Sequence, residues 1–268
     1  MNRQYQFCDP VAENYEFPPA MLSLLVKSGD NNLFGRINLP FRNAGDRLPV
    51  VLLCHGIPGH EQNGDLEKSL CHMGIATCVF HYRGCWGSQG YYRLGNLIED
   101  VHAMLDHLYA HSDEYGIDEN RVYLFGHSMG GFAVMNALAT GAKVAGAIVF
   151  APANPAHFDR TLLDAPSRTA FLNLESADAL NDELIMNREK WSFINIAEKI
   201  PHIPLLFIGG LKDDIVPPDK HVEPVAKKLI QMGYDAKYIT FNDSHNVPGS
   251  RISFIRAVAD WLADYCQI

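Results

Sequence analysis

The 268-residue sequence lacks several features that would indicate export or membrane insertion. No apolar run approaches the roughly 18 residues needed to cross a bilayer. The first residues, Met1 to Phe7, have neither an apolar core nor a small-residue cleavage pattern, so no signal peptide is predicted. The six cysteines include no C-x-x-C pair, which favours reduced thiols and a cytoplasmic location over a disulfide framework.

Basic residues are fewer than acidic ones, with 22 lysines and arginines against 31 aspartates and glutamates. The formal net charge is −9, which argues against nucleic acid or an anionic membrane as the main partner. The sequence has no internal repeat and no low-complexity segment. Hydrophobic residues make up 47% of the chain, enough for a sizeable core, and the length suits one large α/β domain covering residues 1–268.

The apolar pattern predicts an α/β fold with a mostly parallel central sheet flanked by helices. Residues 21–26 and 32–39 are predicted to form an antiparallel hairpin around the turn at residues 28–31. After it, continuous apolar runs typical of strands buried on both faces alternate with helical patterns. The predicted strands are 50–54, 75–80, 121–125, 144–150, 203–208 and 236–241, and the predicted helices are 65–73, 94–111, 132–140, 223–232 and 251–265.

The most informative segment is the hexapeptide from Gly126 to Gly131. It contains a G-x-S-x-G pattern between the predicted strand 121–125 and a helix-prone stretch. In a nucleophile elbow the glycines allow a sharp turn, and the serine, here Ser128, sits exposed at its strained tip. A serine before a helix can also be a simple N-cap residue, so a purely structural role stays open at this point.

A serine hydroxyl needs a base and a group that orients the base. In strand–serine–helix enzymes of this kind the chain order is serine, acid, histidine. Asp213 and Asp214 both follow the predicted strand 203–208, and His245 follows the predicted last strand. Three strand ends therefore present a serine, a carboxylate and a histidine in the expected order.

These motifs resemble those of the α/β-hydrolase superfamily over nearly the whole chain. The superfamily pattern G-x-x-D-x-x-V-P matches Gly210 to Pro217 and implies that Asp213, rather than Asp214, is the acid. The segment from Tyr82 to Ser88 resembles the Y-R-G-x-G-x-S loop with one inserted residue. That variant is similar to serine esterases, cinnamoyl and feruloyl esterases, and prolyl-oligopeptidase-like domains.

The resemblance also implies an oxyanion hole. The His-Gly pair at His55 and Gly56 matches the superfamily's oxyanion loop, so the backbone N–H groups of Ile57 and Met129 are the implied donors. His55 and His127 are interpreted as structural residues, because neither position supplies the base in this superfamily.

Residues 152–200 interrupt the strand–helix rhythm, and the superfamily commonly inserts a cap at this place. A structureless loop of that length is uncommon in a compact domain, so a small helical cap is predicted. In the loop of residues 82–92, Trp86, Tyr91 and Tyr92 either line an acyl pocket or pack the loop against the cap. Arg83 is predicted to form an ion pair with Asp100 or a nearby carboxylate rather than to bind a substrate carboxylate.

The combined prediction is a serine hydrolase that cleaves a small-molecule carboxylic ester, with a short acyl or hydroxycinnamoyl group, through an acyl-enzyme. No cofactor and no metal is expected, because the three histidines on helix 94–111 lack matching carboxylates. A homodimer is compatible with the sequence. The alternatives are a prolyl-oligopeptidase-like peptidase, a thioesterase and a non-catalytic binding protein of the same fold. A haloalkane dehalogenase is disfavoured, since it needs a carboxylate in place of Ser128.

Overall fold

The computed structural model describes residues 2–59, 63–158 and 169–266. Within them lies an eight-stranded sheet of order β1-β2-β4-β3-β5-β6-β7-β8. β1 and β2 form an antiparallel hairpin, and β2 pairs antiparallel with β4. The six strands β3 to β8 all run parallel to one another. The strands are β1 Ala20–Ser28, β2 Asn31–Leu39, β3 Leu48–Cys54, β4 Ala76–Phe80, β5 Ile117–His127, β6 Gly146–Phe150, β7 Leu205–Gly210 and β8 Ala236–Phe241.

Helices cover both faces of this sheet. Buried residues of α2, α4 and α8 belong to one apolar cluster, and those of α1 and α9 belong to the cluster on the opposite face. In the part of the chain that the structure describes, no helix is both long and apolar enough to cross a membrane. The helices are α1 Gly64–His72, α2 Leu94–Ala110, α3 Ser112–Tyr115, α4 Met129–Ala139, α5 Ala177–Asn187, α6 Phe193–Ile196, α7 Pro218–His221, α8 Glu223–Gln231 and α9 Arg251–Tyr265.

The predicted hairpin and the mainly parallel sheet are confirmed, and most strand bounds shift by one to four residues. Two of these shifts have a clear cause. β5 begins at Ile117 rather than Arg121, because Ile117 pairs with Leu48 before the register shifts. β7 extends to Gly210 because Gly209 and Gly210 continue the pairing with the end of β8. The second difference places the end of β7 directly before the loop that carries Asp213.

The predicted cap segment is only partly described, since residues 159–168 lie outside the described residues. Its described part contains α5 and α6 and is fastened to the start of α2. The Glu183 carboxylate accepts hydrogen bonds from the backbone N–H groups of Leu94 at 2.8 Å and Gly95 at 3.0 Å. A carboxylate is favoured there because the first N–H groups of a helix lack intrahelical acceptors. The assignment of residues 152–200 as a cap stays a prediction.

A buried glutamate connects α1 to the hairpin. The side chain of Glu67 on α1 is fully buried, and its carboxylate lies 2.6 Å from the Arg36 guanidinium on β2. The side-chain amide of Asn38, also on β2, donates a second hydrogen bond to it. A carboxylate in this position is stable only because both partners compensate for its lost hydration.

We expect Glu67→Ala to lower the free energy of unfolding by about 2–3 kcal/mol, because Arg36 and Asn38 lose their shared acceptor. The neighbouring Lys68→Ala is the matched control. Its ammonium lies 3.9 Å from the Glu67 carboxylate, but the side chain is 63% exposed, so loss of this solvent-screened contact should stay within about 0.5 kcal/mol. Chemical denaturation of both variants measures the difference, and equal losses would contradict the role assigned to Glu67.

Candidate active site

The three predicted catalytic residues lie in loops at the carboxyl edge of the parallel strands. Ser128 follows directly after β5, Asp213 lies three residues beyond the end of β7, and His245 lies four residues beyond the end of β8. Parallel strands end at a common edge, and α/β sheets bind their ligands outside that edge. The fold therefore brings together residues that are far apart in the chain.

Ser128 occupies a strained turn between β5 and α4. Its backbone has φ +56° and ψ −118°, a conformation that non-glycine residues rarely adopt. Its N–H donates to the Phe150 carbonyl at 2.9 Å, and its carbonyl accepts from the Ala153 N–H at 2.9 Å. Ser128 stands at the N-cap position, but no capping hydrogen bond from its side chain is present among the described residues. The geometry is that of an elbow and not of an ordinary N-cap, whose backbone is extended.

Three glycines allow α4 to approach the sheet closely enough for this turn. A Cβ at Gly130 would lie 1.9 Å from the Cys54 carbonyl oxygen of β3. A Cβ at Gly126 would lie 2.5 Å from the Gly130 carbonyl oxygen, and one at Gly131 would lie 2.5 Å from the Pro152 Cβ. Any side chain at these positions would push the helix away from the strand ends and displace Ser128.

Asp213 and His245 form a close hydrogen-bonded pair. The distance from His245 Nδ1 to Asp213 Oδ2 is 2.6 Å. The other carboxylate oxygen, Oδ1, accepts the backbone N–H groups of Ile215 at 2.9 Å and Val216 at 2.8 Å. The Asp213 side chain is fully buried, whereas Asp214 is exposed. Of the two aspartates weighed from the sequence, Asp213 is the one that contacts the histidine.

The predicted oxyanion loop lies against the serine. A Cβ built at Gly56 would lie 2.9 Å from the Ser128 Cβ and 3.5 Å from the Ser128 Oγ, so the loop backbone borders the hydroxyl. Met129 is the first residue of α4, and the first N–H groups of a helix have no intrahelical acceptor. Ile57 follows Gly56 directly. The two backbone donors predicted from the resemblance thus belong to segments that meet at Ser128.

Two other histidines near the site, His55 and His127, are buried. The His127 ring stacks on Phe150 with centroids 4.6 Å apart and lies 5.0 Å from the His245 ring. Burial lowers the pKa of His127 well below its ordinary value, and the neighbouring His245 lowers it further. Burial also lowers the pKa of His55 to about 3. Both imidazoles are therefore neutral at physiological pH.

The aromatic side chains of the loop of residues 82–92 differ in burial. Tyr92 is buried in the apolar core, while Trp86 and Tyr91 are exposed. Arg83 pairs with the buried Asp100, whose Oδ1 lies 2.6 Å from the Arg83 Nε, as the sequence predicted. The same aspartate accepts the Ser28 hydroxyl at 2.7 Å, which anchors the root of the loop to β1.

No cluster of three or more metal-binding side chains occurs among residues 2–59, 63–158 and 169–266. The three histidines on and after α2 have other contacts. His102 bonds to the Thr140 hydroxyl at 2.9 Å, His107 bonds to the Tyr115 hydroxyl at 3.0 Å, and His111 bonds to the His107 carbonyl at 3.0 Å. These contacts fasten α2 to its surroundings.

Sequence reasoning missed a polar junction behind the site. The Asn154 N–H donates to His221 Nδ1 at 3.0 Å, and the Asn154 side-chain oxygen accepts the Phe193 N–H at 3.3 Å. This junction joins the segment after β6 to α7 and α6. Asn154 lies directly after Ala153, which bonds to the Ser128 carbonyl. No spacing in the sequence indicates the junction, because its three members come from a loop and two short helices that are far apart in the chain.

The buried imidazoles predict how stability depends on pH. The pKa of His55 is lowered to about 3 and that of His221 to about 4, both chiefly by burial. Below the ordinary pKa near 6.5 the unfolded chain takes up protons that the folded chain does not. Stability should therefore fall as pH decreases from about 6.5, by up to about 1.4 kcal/mol per pH unit for each such histidine.

Chemical denaturation at pH 7 and pH 5 measures this fall. The variant His221→Gln should show a smaller fall than the wild type, whereas replacing the exposed His202 by Gln should leave the fall nearly unchanged. An unchanged slope in His221→Gln would contradict the neutral state of this imidazole.

Comparison with known proteins gives matches of three kinds. Residues 45–177 match the model of a family described as serine aminopeptidase, S33. The α/β-hydrolase domain-containing protein WAV2 of Arabidopsis thaliana is 29% identical over 153 residues, which span 57% of this chain and 47% of that protein. An uncharacterised protein of Mycobacterium tuberculosis is 28% identical over 212 residues, 78% of this chain and 67% of that protein.

Solved structures share the fold over most of the chain. A puromycin hydrolase superposes with a TM-score of 0.71 at 19% identity, covering 97% of this chain and 41% of that one. Est1E from Butyrivibrio proteoclasticus superposes with a TM-score of 0.69 at 19% identity, covering 92% and 99%. The chain thus spans less than half the length of WAV2 and of the puromycin hydrolase. Its strand order and these neighbours show that the chain has the α/β-hydrolase fold, and residues 45–177 within it match the serine aminopeptidase family.

Proposed function

We propose that this protein is a serine hydrolase that cleaves carboxylic esters through an acyl-enzyme. One observation carries the proposal: His245 Nδ1 lies 2.6 Å from a buried Asp213 carboxylate at the same sheet edge where Ser128 occupies a strained turn. A buried carboxylate bonded to Nδ1 leaves Nε2 as the imidazole atom free to act as a base. A serine, a base and an orienting acid are the parts that nucleophilic acyl transfer requires.

In the proposed mechanism the Ser128 hydroxyl attacks the ester carbonyl carbon while His245 Nε2 accepts the hydroxyl proton. Collapse of the tetrahedral intermediate breaks the bond to the alkoxy group, which takes that proton from His245 and leaves as the alcohol. Water then attacks the acyl-enzyme with His245 again as the base, and the acid and the free serine are released.

Asp213 holds the imidazole in one tautomer and stabilises its protonated form. Its carboxylate cannot rotate freely, because Oδ1 accepts the N–H groups of Ile215 and Val216 while Oδ2 faces His245. The oxyanion is stabilised by the backbone N–H groups of Met129 and Ile57. Each such donor contributes about 3–4 kcal/mol in enzymes of this type, and the N-terminal end of α4 adds a favourable dipole.

Ester substrates are favoured by the neighbours of known structure. Est1E has been solved with ferulic acid bound, and a carboxyl esterase from Bacillus coagulans shares the fold with a TM-score of 0.69 at 17% identity. The second candidate is a peptidase. It is favoured by the serine aminopeptidase family match and by the acylaminoacyl peptidase of Pyrococcus horikoshii, which superposes with a TM-score of 0.66 at 17% identity.

Ser128→Ala should abolish turnover of p-nitrophenyl esters, with a loss of roughly 10⁴-fold or more in kcat. It should also abolish covalent labelling by a fluorophosphonate, since that reagent reacts with an activated serine. Ser23→Ala removes an exposed hydroxyl from β1 and serves as the control. A panel of p-nitrophenyl esters, aminoacyl anilides and acyl thioesters then identifies the substrate class.

Each result of this assay selects one function. Turnover of esters alone supports the proposal, whereas faster turnover of anilides or thioesters replaces it with a peptidase or a thioesterase. Absence of both turnover and labelling in the wild type would eliminate the catalytic proposal and favour a binding protein of the same fold.

Asp213→Asn and Asp214→Asn form a second matched pair of variants. Asp213→Asn should lower kcat by roughly 10⁴-fold, because an amide at this position no longer stabilises the correct imidazole tautomer. Asp214→Asn removes an exposed charge one residue away and should change kcat less than about twofold. Steady-state kinetics on the preferred ester measures both effects. Similar losses in the two variants would contradict the assignment of Asp213 as the acid.

A further inference from the structure

Trp86 has an unusual conformation and an unusual position. It lies in the loop after β4 with φ +43°, a value that a bulky side chain rarely adopts. Its indole is 40% exposed, so core packing does not account for it. The indole N–H donates to the Pro58 carbonyl at 2.5 Å. The chain therefore keeps a strained backbone in order to hold an exposed aromatic ring over the loop that contains Ile57.

The surrounding loop is braced from several sides. The Gly84 N–H donates to the Gln89 carbonyl at 3.0 Å, and the Gly84 carbonyl accepts the Asn173 N–H at 2.7 Å. Cys85 and Leu172 form an antiparallel bridge. A strained residue persists only where its surroundings fix it, and such residues concentrate at functional sites. These bonds are what fixes Trp86.

Phe171 provides a second aromatic ring at the same place. Its ring stacks on Trp86 with centroids 5.3 Å apart and an interplanar angle of 15°. Phe171 is 53% exposed, so the pair retains open aromatic surface. Two residues 85 positions apart thus form one stacked aromatic pair, and the bridge at Cys85 and Leu172 sets their alignment.

The aromatic pair is continuous with the reaction centre through the oxyanion loop. A Cβ at Gly59 would lie 2.9 Å from Trp86 Nε1 and 2.6 Å from the His55 ring, so the indole packs directly on this loop. At the other end of the loop, a Cβ at Gly56 would lie 3.5 Å from Ser128 Oγ. A substrate bound at Ser128 therefore has an exposed aromatic surface along the loop that would hold its oxyanion.

We propose that Trp86 and Phe171 form a specificity-determining subsite that stacks against a planar aromatic group of the ester substrate. The inference rests on the proposed esterase function. A stacked pair of exposed rings matches a planar conjugated group better than a flexible alkyl chain, because a substrate ring can extend the stack, and offset stacking adds to the burial of apolar area. The strained backbone at Trp86 is then a means of presenting the indole to substrate.

Four esters test this subsite. Ethyl cinnamate and ethyl hex-2-enoate share a conjugated acyl group, which carries a phenyl ring in the first and a propyl chain in the second. Benzyl acetate and hexyl acetate compare an aromatic with an alkyl group on the alcohol side. Trp86→Leu and Phe171→Leu should each lower kcat/KM for the aromatic member of one pair by roughly tenfold and change the alkyl member less than twofold. Trp86→Phe should restore most of the aromatic preference.

Two controls keep the test independent of folding and of turnover. Phe17→Leu removes another exposed aromatic side chain and should leave all four esters unaffected, and unfolding midpoints check that the variants fold. Calorimetric titration of Ser128→Ala measures binding without hydrolysis, with cinnamamide and hex-2-enamide as analogues of the acyl side and N-benzylacetamide and N-hexylacetamide as analogues of the alcohol side. Each of Trp86→Leu and Phe171→Leu, added to Ser128→Ala, should weaken binding of the aromatic amide in the same pair by a similar factor and leave the alkyl amide unchanged.

The outcomes separate this inference from the function on which it rests. Equal losses on aromatic and alkyl esters, or no loss in either pair, would overturn the subsite while leaving the esterase intact. Absence of ester turnover in the wild type would overturn the esterase. In that case selective weakening of aromatic amide binding would still support an aromatic site, and unchanged amide binding would overturn it as well.

Discussion

The geometry of the site depends on a steric constraint at the first turn of α4. The helix approaches β3 so closely that a single methyl group at Gly130 would overlap the Cys54 carbonyl oxygen, 1.9 Å away. That approach forces the strained backbone at Ser128 and brings the Gly56 segment against the serine side chain. The contact between α4 and β3 is made by glycine backbone at Gly130. A larger residue there would move α4 away from the strand ends and carry Ser128 with it.

Electrostatics then distinguish His245 from the other imidazoles nearby. His55 and His127 are buried, and their pKa values are lowered, so both rings remain neutral. Within the described residues, His245 is the one of these three that bonds to a carboxylate, that of Asp213, at 2.6 Å. The Asp213 carboxylate thus fixes the orientation of the His245 ring, whereas burial chiefly determines the charge of the other two rings.

Much of this arrangement could be predicted from the sequence, because it depends on local patterns. The glycines around Ser128 imply a sharp turn, and alternating strands and helices imply a parallel sheet whose ends meet. The choice between Asp213 and Asp214 needed a family pattern, since both follow the same strand, and the structure brings Asp213 to His245.

Other features depend on contacts between distant segments, which no periodicity records. The stacking of Phe171 on Trp86 and the junction of Asn154 with His221 are examples. Tyr92 illustrates the same limit. Two adjacent tyrosines look equivalent in sequence, yet the chain turns Tyr92 into the core and leaves Tyr91 exposed.

The carboxylate of Glu183 has a consequence for exchanging parts between relatives. It accepts the N–H groups of Leu94 and Gly95, so the segment after β6 supplies the anion that the start of α2 would otherwise lack. A chimera that received the corresponding segment from another protein of this fold would keep the sheet but lose this anion wherever the new segment carries no acidic side chain at the same place. Replacing the segment after β6 therefore requires either an acidic side chain at the position of Glu183 or a new N-cap residue at the start of α2, so that the first N–H groups of α2 keep an acceptor.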